Sequence, residues 1–156
     1  MDQPRLTIDL IPKACWWSNL GTYLSAPQWI MARKKVVEAA GCKCQVCGGV
    51  GTRIPVVCHE VWEYDDEKHV QRLVGLIALC PHCHQSKHFG LATINKKAGQ
   101  VKQRLAIVNG WSKEQVNEHI NHSLAVWKAR NAYSWTLDLS WFKEAFGVEA
   151  RTKKLC

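Results

Sequence analysis

This chain of 156 residues is poor in three things. It has no apolar run approaching the roughly 20 residues that a membrane-spanning helix needs, so a transmembrane protein is excluded. Asp2-Gln3-Pro4-Arg5 leads into no apolar stretch with a cleavage site, so no export is expected and the compartment read is the reducing cytoplasm. Acidic side chains are also short, 13 Asp and Glu against 21 Lys and Arg, for a formal net charge of +8 and a pI near 9.2. That imbalance is no guide to fold, but it favours an anionic partner, nucleic acid or an acidic membrane surface. Internal repeats and low-complexity linkers are missing too. A single domain spanning 1–156 is therefore expected, since a chain of this size buries about 68–70% of its unfolded surface.

Cysteine, by contrast, is abundant, with eight residues. Four of them form two knuckles, Cys44-Gln45-Val46-Cys47 and Cys80-Pro81-His82-Cys83, separated by 32 residues. Paired Cys-x-x-Cys knuckles suit tetrahedral thiolate ligation better than disulfides. Cys44, Cys47, Cys80 and Cys83 are thus expected to hold a structural Zn2+, a closed site that supplies folding free energy. Cys42 is a neighbouring competitor at a less usual spacing, while Cys15 reads as a core thiol and Cys156 as a tail residue.

Around these knuckles the pattern is mixed. Leu6 to Ile11 reads as a short strand. Ser25-Ala26-Pro27-Gln28 is a capping box that opens a helix over about 26–40, closed by Gly41. Arg53 to Trp62 is β-branched enough to be a strand carrying His59, Glu63 to Lys68 reads as a polar loop, and Leu73 to Leu79 as a buried strand. Pro81 can start a helix that puts His84 and His88 one turn apart on the same face. Thr93 to Asn109 reads as a helix ended by Gly110, and Ser112 to Gln115 is a second capping box opening a helix to about Asn131. These C-terminal helices, about 93–131, would wrap the metal core. Trp135 to Phe142 alternates like a strand, and Arg151 to Lys154 is a basic end.

The stretch from Cys44 to about Gly90 resembles the HNH endonuclease family. The likeness rests on Cys-x-x-Cys, a strand histidine, and Leu79-Cys80-Pro81-His82-Cys83-His84-Gln85-Ser86-Lys87-His88. It implies an α+β protein with a small ββα-metal core, stapled by the four-cysteine zinc and wrapped by N- and C-terminal helices. By that resemblance His59 would be the general base, and Cys58, His84 and His88 would hold a catalytic divalent metal, Mg2+, Mn2+, Ni2+ or Zn2+. A phosphodiester would be hydrolysed to 5′-phosphate and 3′-hydroxyl ends. This chain departs from the family twice. Asp or His usually stands where Cys58 is, and the softer thiolate favours zinc. The central Asn that orients the base would fall near Gly75, which has no side chain.

Strand alternation offers another arrangement, because Cys58 and Glu60 share a face that His59 does not. His59, His84 and His88 then form a three-histidine site, with Glu60 or Glu63 as the alternative proton acceptor. For phosphate contacts the basic candidates are Arg33, Lys34, Lys35, Lys87, Lys96 and Lys97, with Lys102 and Arg104 following. Trp16, Trp17 and Trp62 are candidates for stacking on bases, whereas Trp29 and Trp127 fall at core spacing. His69, His82, His119 and His122 read as solvated or capping residues, and Asp65-Asp66 as a solvated turn. The expected function is a metal-dependent endonuclease acting on double-stranded DNA as monomer or homodimer, with no membrane role. The competing expectation is a catalytically weak or inactive zinc-stapled module that binds nucleic acid or protein.

Overall fold

The computed structural model describes residues 3–51 and 55–150. Its helices are α1 (Leu20–Tyr23), α2 (Ala26–Ala39), α3 (Pro81–Lys87), α4 (Phe89–Ile94), α5 (Ala98–Asn109), α6 (Lys113–Arg130) and α7 (Ser140–Phe146). Its strands are β1 (Val57–Asp65), β2 (Val70–Leu79) and β3 (Thr136–Asp138), making a mixed α+β chain around a sheet of order β1-β2-β3. β1 and β2 form an antiparallel hairpin, with a register shift between Val61 and Trp62, and β3 adds to β2 in parallel.

Local signals explain most of these boundaries. Ser25 and Gln28 satisfy each other's backbone N–H groups at the start of α2, and Ser112 and Gln115 do the same for α6; such a cap is worth about 1 kcal/mol. Pro81 occupies the first turn of α3, where its missing N–H costs nothing. Gly41 follows α2 with φ +62°, a left-handed backbone that glycine adopts without strain.

Packing overrides the local pattern elsewhere. The Leu6 to Ile11 segment joins no strand ladder. Side chains take most of its bonded backbone groups instead, while Asp9 N–H goes to Lys87 O: Leu6 N–H donates to Asn109 Oδ1, Asn109 Nδ2 donates to Leu6 O, and Ile8 N–H donates to His119 Nε2. β1 runs through Glu63 to Asp65, which polarity alone assigns to a loop, while the Arg53 end of the expected strand lies outside the described residues. The true turn is shorter, and Asp65 Oδ1 accepts from the N–H groups of Glu67 and Lys68. The expected helix from Thr93 is two helices, α4 and α5, broken around Lys96 at φ +59°. The alternating Trp135 to Phe142 segment is a strand only over Thr136–Asp138, because Asp138 Oδ1 caps Ser140 and turns the chain into α7. Arg151 to Lys154 lies outside the described residues.

The hairpin separates two cores. On one side Leu6, Ile8, Val46, Leu79, Phe89, Val101, Leu105, Val116 and Ile120 pack together, joining the N-terminal segment to α4, α5 and α6. On the other, Leu20, Tyr23, Leu24, Ala32, Leu73, Leu139 and Phe142 join α1, α2 and α7. Among the described residues, no helix is long and apolar enough to cross a membrane.

Candidate metal centres

The first knuckle is a loop pinned to the end of β2. Gln45 N–H donates to Ala78 O at 2.9 Å and Ala78 N–H returns a bond to Gln45 Oε1 at 2.8 Å. Within the loop, Cys44 N–H donates to Gly49 O, and Gly48 N–H to Cys44 O. Gly48 supports this tight turn with φ +76°. The second knuckle begins at the N-cap of α3, so Cys80 ends the hairpin and Cys83 lies one turn into the helix.

The sulfur atoms of Cys44, Cys47, Cys80 and Cys83 all lie within 4.8 Å of one another, close enough to hold a metal ion such as zinc. Two thiolates at the usual 2.3 Å from a tetrahedral zinc stand about 3.8 Å apart, and Cys47 Sγ and Cys80 Sγ are 3.7 Å apart. Burial pushes the Cys44 thiol up, but backbone donors from Cys80, Cys47 and Val46 outweigh it and bring it down to about 7. Burial holds Cys47 and Cys83 above the ordinary thiol range. The Cys44 thiol is therefore about half ionised near neutral pH, while Cys47 and Cys83 must release protons as a cation enters. Cys42 is exposed and stands outside this group; Cys15 is buried in the core.

Sequence reading assigns Arg104 to the basic run that would meet phosphate. Instead, α5 turns it onto the knuckles, where its Nη2 donates to Cys83 Sγ at 3.4 Å and to Cys80 Sγ at 3.7 Å. Zinc held by four thiolates would carry a net negative charge, which this guanidinium would partly offset.

The second group stands at the same end of the hairpin. His59 on β1, His84 on α3 and His88 just after it each place one ring nitrogen within 4.8 Å of the others. His84 and His88 lie one helical turn apart, their Nε2 atoms separated by 3.1 Å; two imidazoles sharing a tetrahedral zinc at 2.0–2.1 Å would stand about 3.3 Å apart. The His59 ring meets both of them edge-on, with centroids 5.3 and 5.0 Å away. Burial, then the neighbouring imidazoles, lowers His84 to about 4. Burial and His59 lower His88 as well, against the opposing pull of Asp9 and Glu60. Both rings are neutral at pH 7, the form in which a histidine ligates.

Cys58 is not part of this group. The alternation of β1 turns it with Glu60 to the α2 side. Burial there, with Glu60 nearby, pushes its thiol up to about 12. Glu60 Oε1 accepts the Leu20 N–H on that side, so the structure does not aim it at the histidines as a proton acceptor. Glu63 is exposed and lies within 4.0 Å of Arg72. At Gly75, which pairs with Val61, an added Cβ would meet Val61 at an ordinary 3.8 Å, so packing does not demand glycine there.

Asp9 is the site residue that sequence reading missed. Its Oδ2 is 3.1 Å from His59 Nε2, and its Oδ1 accepts from Lys87 Nζ at 3.2 Å. It belongs to a segment with no motif, so only the tertiary fold reveals it. Lys87, expected to meet phosphate, is instead tied to Asp9 and to Thr7 Oγ1. The other basic candidates lie on the surface: Arg33 stacks over Trp29, Lys34 pairs with Glu38, Lys35 lies over Phe146, and Lys96 and Lys97 are at the α4–α5 break. Trp16 and Trp17 are exposed at 55% and 83%, whereas Trp62 packs on the α2 side core. His119, expected to be a solvated or capping residue, accepts the Ile8 N–H, and His69 stacks on Tyr133 at 4.1 Å. No family model, curated protein or solved structure matches this chain.

Proposed function

We propose that this chain is an HNH-type, metal-dependent endonuclease that hydrolyses DNA phosphodiester bonds. One observation carries the reading: a β-hairpin followed by a helix converges three buried or half-buried histidines beside a four-cysteine metal group on the same unit. Three protein ligands leave one position of a tetrahedral ion open, the arrangement of catalytic rather than structural sites.

In this reading His59, His84 and His88 hold the ion, and Cys58 is no ligand. A divalent cation held there would neutralise charge on the scissile phosphate and make water a stronger nucleophile at neutral pH. The chain's own contribution is orientation. β1 fixes His59 with only 4% of its surface exposed, and α3 holds His84 and His88 at one-turn spacing. Lys96 and Lys97, at the α4–α5 break, would meet flanking phosphates, and the surplus of positive charge makes binding salt-dependent.

Plasmid nicking across magnesium, manganese, nickel and zinc, together with metal counting, tests this. The expectation is two ions per chain in the wild type, one in His84→Ala, and no nicking by the variant. His59→Ala separates the two roles open to that residue: loss of the second ion supports ligation, whereas an ion retained without cleavage supports a general base. Two bound ions with no cleavage under any metal would select instead a zinc-stapled binding module.

A further inference from the structure

The histidine group needs something that the hairpin and helix do not supply. A buried neutral imidazole has two tautomers, and only one leaves the required nitrogen free. Nε2 of His59 faces Asp9 Oδ2 at 3.1 Å, while Nδ1 is buried without a hydrogen-bond partner. An ionised carboxylate can only accept, so Nε2 carries the hydrogen, and Nδ1 is the nitrogen left to offer a lone pair to a ligand. An orphaned, buried acceptor is costly unless something occupies it, and His84 and His88 stand beside the same ring.

Asp9 is itself firmly held. Its N–H donates to Lys87 O at 3.0 Å, Lys87 Nζ donates to its Oδ1, and the same ammonium donates to Thr7 Oγ1 at 2.9 Å. The preceding residue adds to the hold, since Ile8 N–H is taken by His119. The carboxylate is thus clamped between a cation and an imidazole, one oxygen to each.

We propose that Asp9 is a positioning residue of the histidine site, accepting the Nε2–H of His59 so that the Nδ1 lone pair faces a cation shared with His84 and His88. This rests on the metal-site reading above and deepens it. The orienting group expected on the hairpin near Gly75 comes instead from the N-terminal segment, and Lys87 serves to hold Asp9. Metal-bound histidines commonly give their second N–H to such a carboxylate, and its loss weakens metal affinity about 10- to 100-fold.

The discriminating variant is Asp9→Asn, which keeps the shape. Lys87 must still donate to the amide oxygen, which leaves the amide nitrogen facing His59 Nε2. That nitrogen donates, so Nε2 must accept, and the hydrogen moves to Nδ1. Nitrogen-15 NMR of the protein carrying one equivalent of zinc should find His59 as the Nε2–H tautomer in wild type and Nδ1–H in Asp9→Asn. Cobalt titration should find the histidine site weakened about 10- to 100-fold in the variant, with the thiolate-to-cobalt band of the cysteine site unchanged. In Asp9→Asn with Lys87→Met the amide is free to rotate, and tautomer and affinity should return toward wild type.

An Asp9→Asn protein that keeps the Nε2–H tautomer, or flips it without losing cobalt affinity, overturns the proposal. So does a wild-type protein in which the cation perturbs Nε2 rather than Nδ1. Wild-type protein with the Nε2–H tautomer but no second cobalt site would instead refute the metal-site reading, leaving Asp9's hold on the ring intact.

Discussion

Replacing Arg104 with Met should weaken zinc binding without unfolding the chain. Met keeps most of the apolar stem that Arg104 carries on α5 but removes the donor to Cys83 and Cys80. Two independent routes give the magnitude. A hydrogen bond to a charged partner contributes about 1.5–3 kcal/mol. Loss of an outer-shell partner costs about 10- to 100-fold in metal affinity, or roughly 1.4–2.8 kcal/mol at 1.4 kcal/mol per tenfold. Arg104 is only half-buried, and water screens part of its charge, so the lower end, about tenfold, is expected. The assay is zinc competition against a chelator at fixed pH and ionic strength. Arg104→Lys keeps the charge without the planar fork and should fall between the two. Unchanged zinc affinity in a folded Arg104→Met protein would refute the assignment of this guanidinium to the thiolates.

Three further outcomes follow from the same geometry. Removing zinc with a strong chelator should abolish the cooperative thermal transition, because a structural zinc supplies roughly 10–16 kcal/mol against a total stability of about 5–15 kcal/mol; circular dichroism should recover on adding zinc, and a chelated protein that still melts cooperatively would contradict this. Phe142→Ala removes a fully buried ring stacked on Phe146 and should lower stability by about 3–5 kcal/mol, read as a shift in the urea midpoint at constant slope. The third concerns acid. Arg130 grips Asp66 with two hydrogen bonds at 2.6 and 2.7 Å and holds its carboxyl below the ordinary 3.8. A depressed carboxylate stabilises the fold above its unfolded pKa, and that contribution is lost as pH falls through the lower folded value. Asp66 is largely exposed, so Asp66→Asn, which leaves Arg130 over the Tyr64 ring, should cost at most about 1 kcal/mol at pH 7, and denaturation curves of variant and wild type should converge below the ordinary carboxylate range.

Sequence spacing was informative where chemistry is local. The two knuckles, both capping boxes and the one-turn spacing of His84 and His88 are set by residues within a few positions of each other, and the structure has all of them. Strand alternation also separated His59 from Cys58, because the side-chain period of a strand is two. What could not be read depends on distant packing. Asp9, Arg104 and His119 look like ordinary polar residues in sequence, and each acquires its role from a partner on another element. The Leu6 to Ile11 segment has strand composition but meets side-chain amides and an imidazole rather than a strand edge. The expected helix from Thr93 runs across the Lys96 break because its composition carries no breaker there. The Trp135 to Phe142 alternation gave no warning of α7, since one aspartate at position 138 redirects the chain after three strand residues.

The N-terminal segment around Asp9 also bears on the order in which the site can be completed during synthesis. Leu6 and Ile8 are held by side chains 103 and 111 residues further along, and Lys13 N–H by Asn131, 118 residues away. The cysteine group closes within the first knuckle, the hairpin and α3, so zinc can be captured as soon as Cys83 leaves the ribosome. Asp9 finds its own partners, His59 and Lys87, by the end of α3, but the residues on either side of it are anchored only once α5 and α6 exist. A nascent chain would therefore hold all four knuckle cysteines, Asp9 and His59 by the end of α3, while the anchoring of the flanking N-terminal residues waits until most of the protein has been translated.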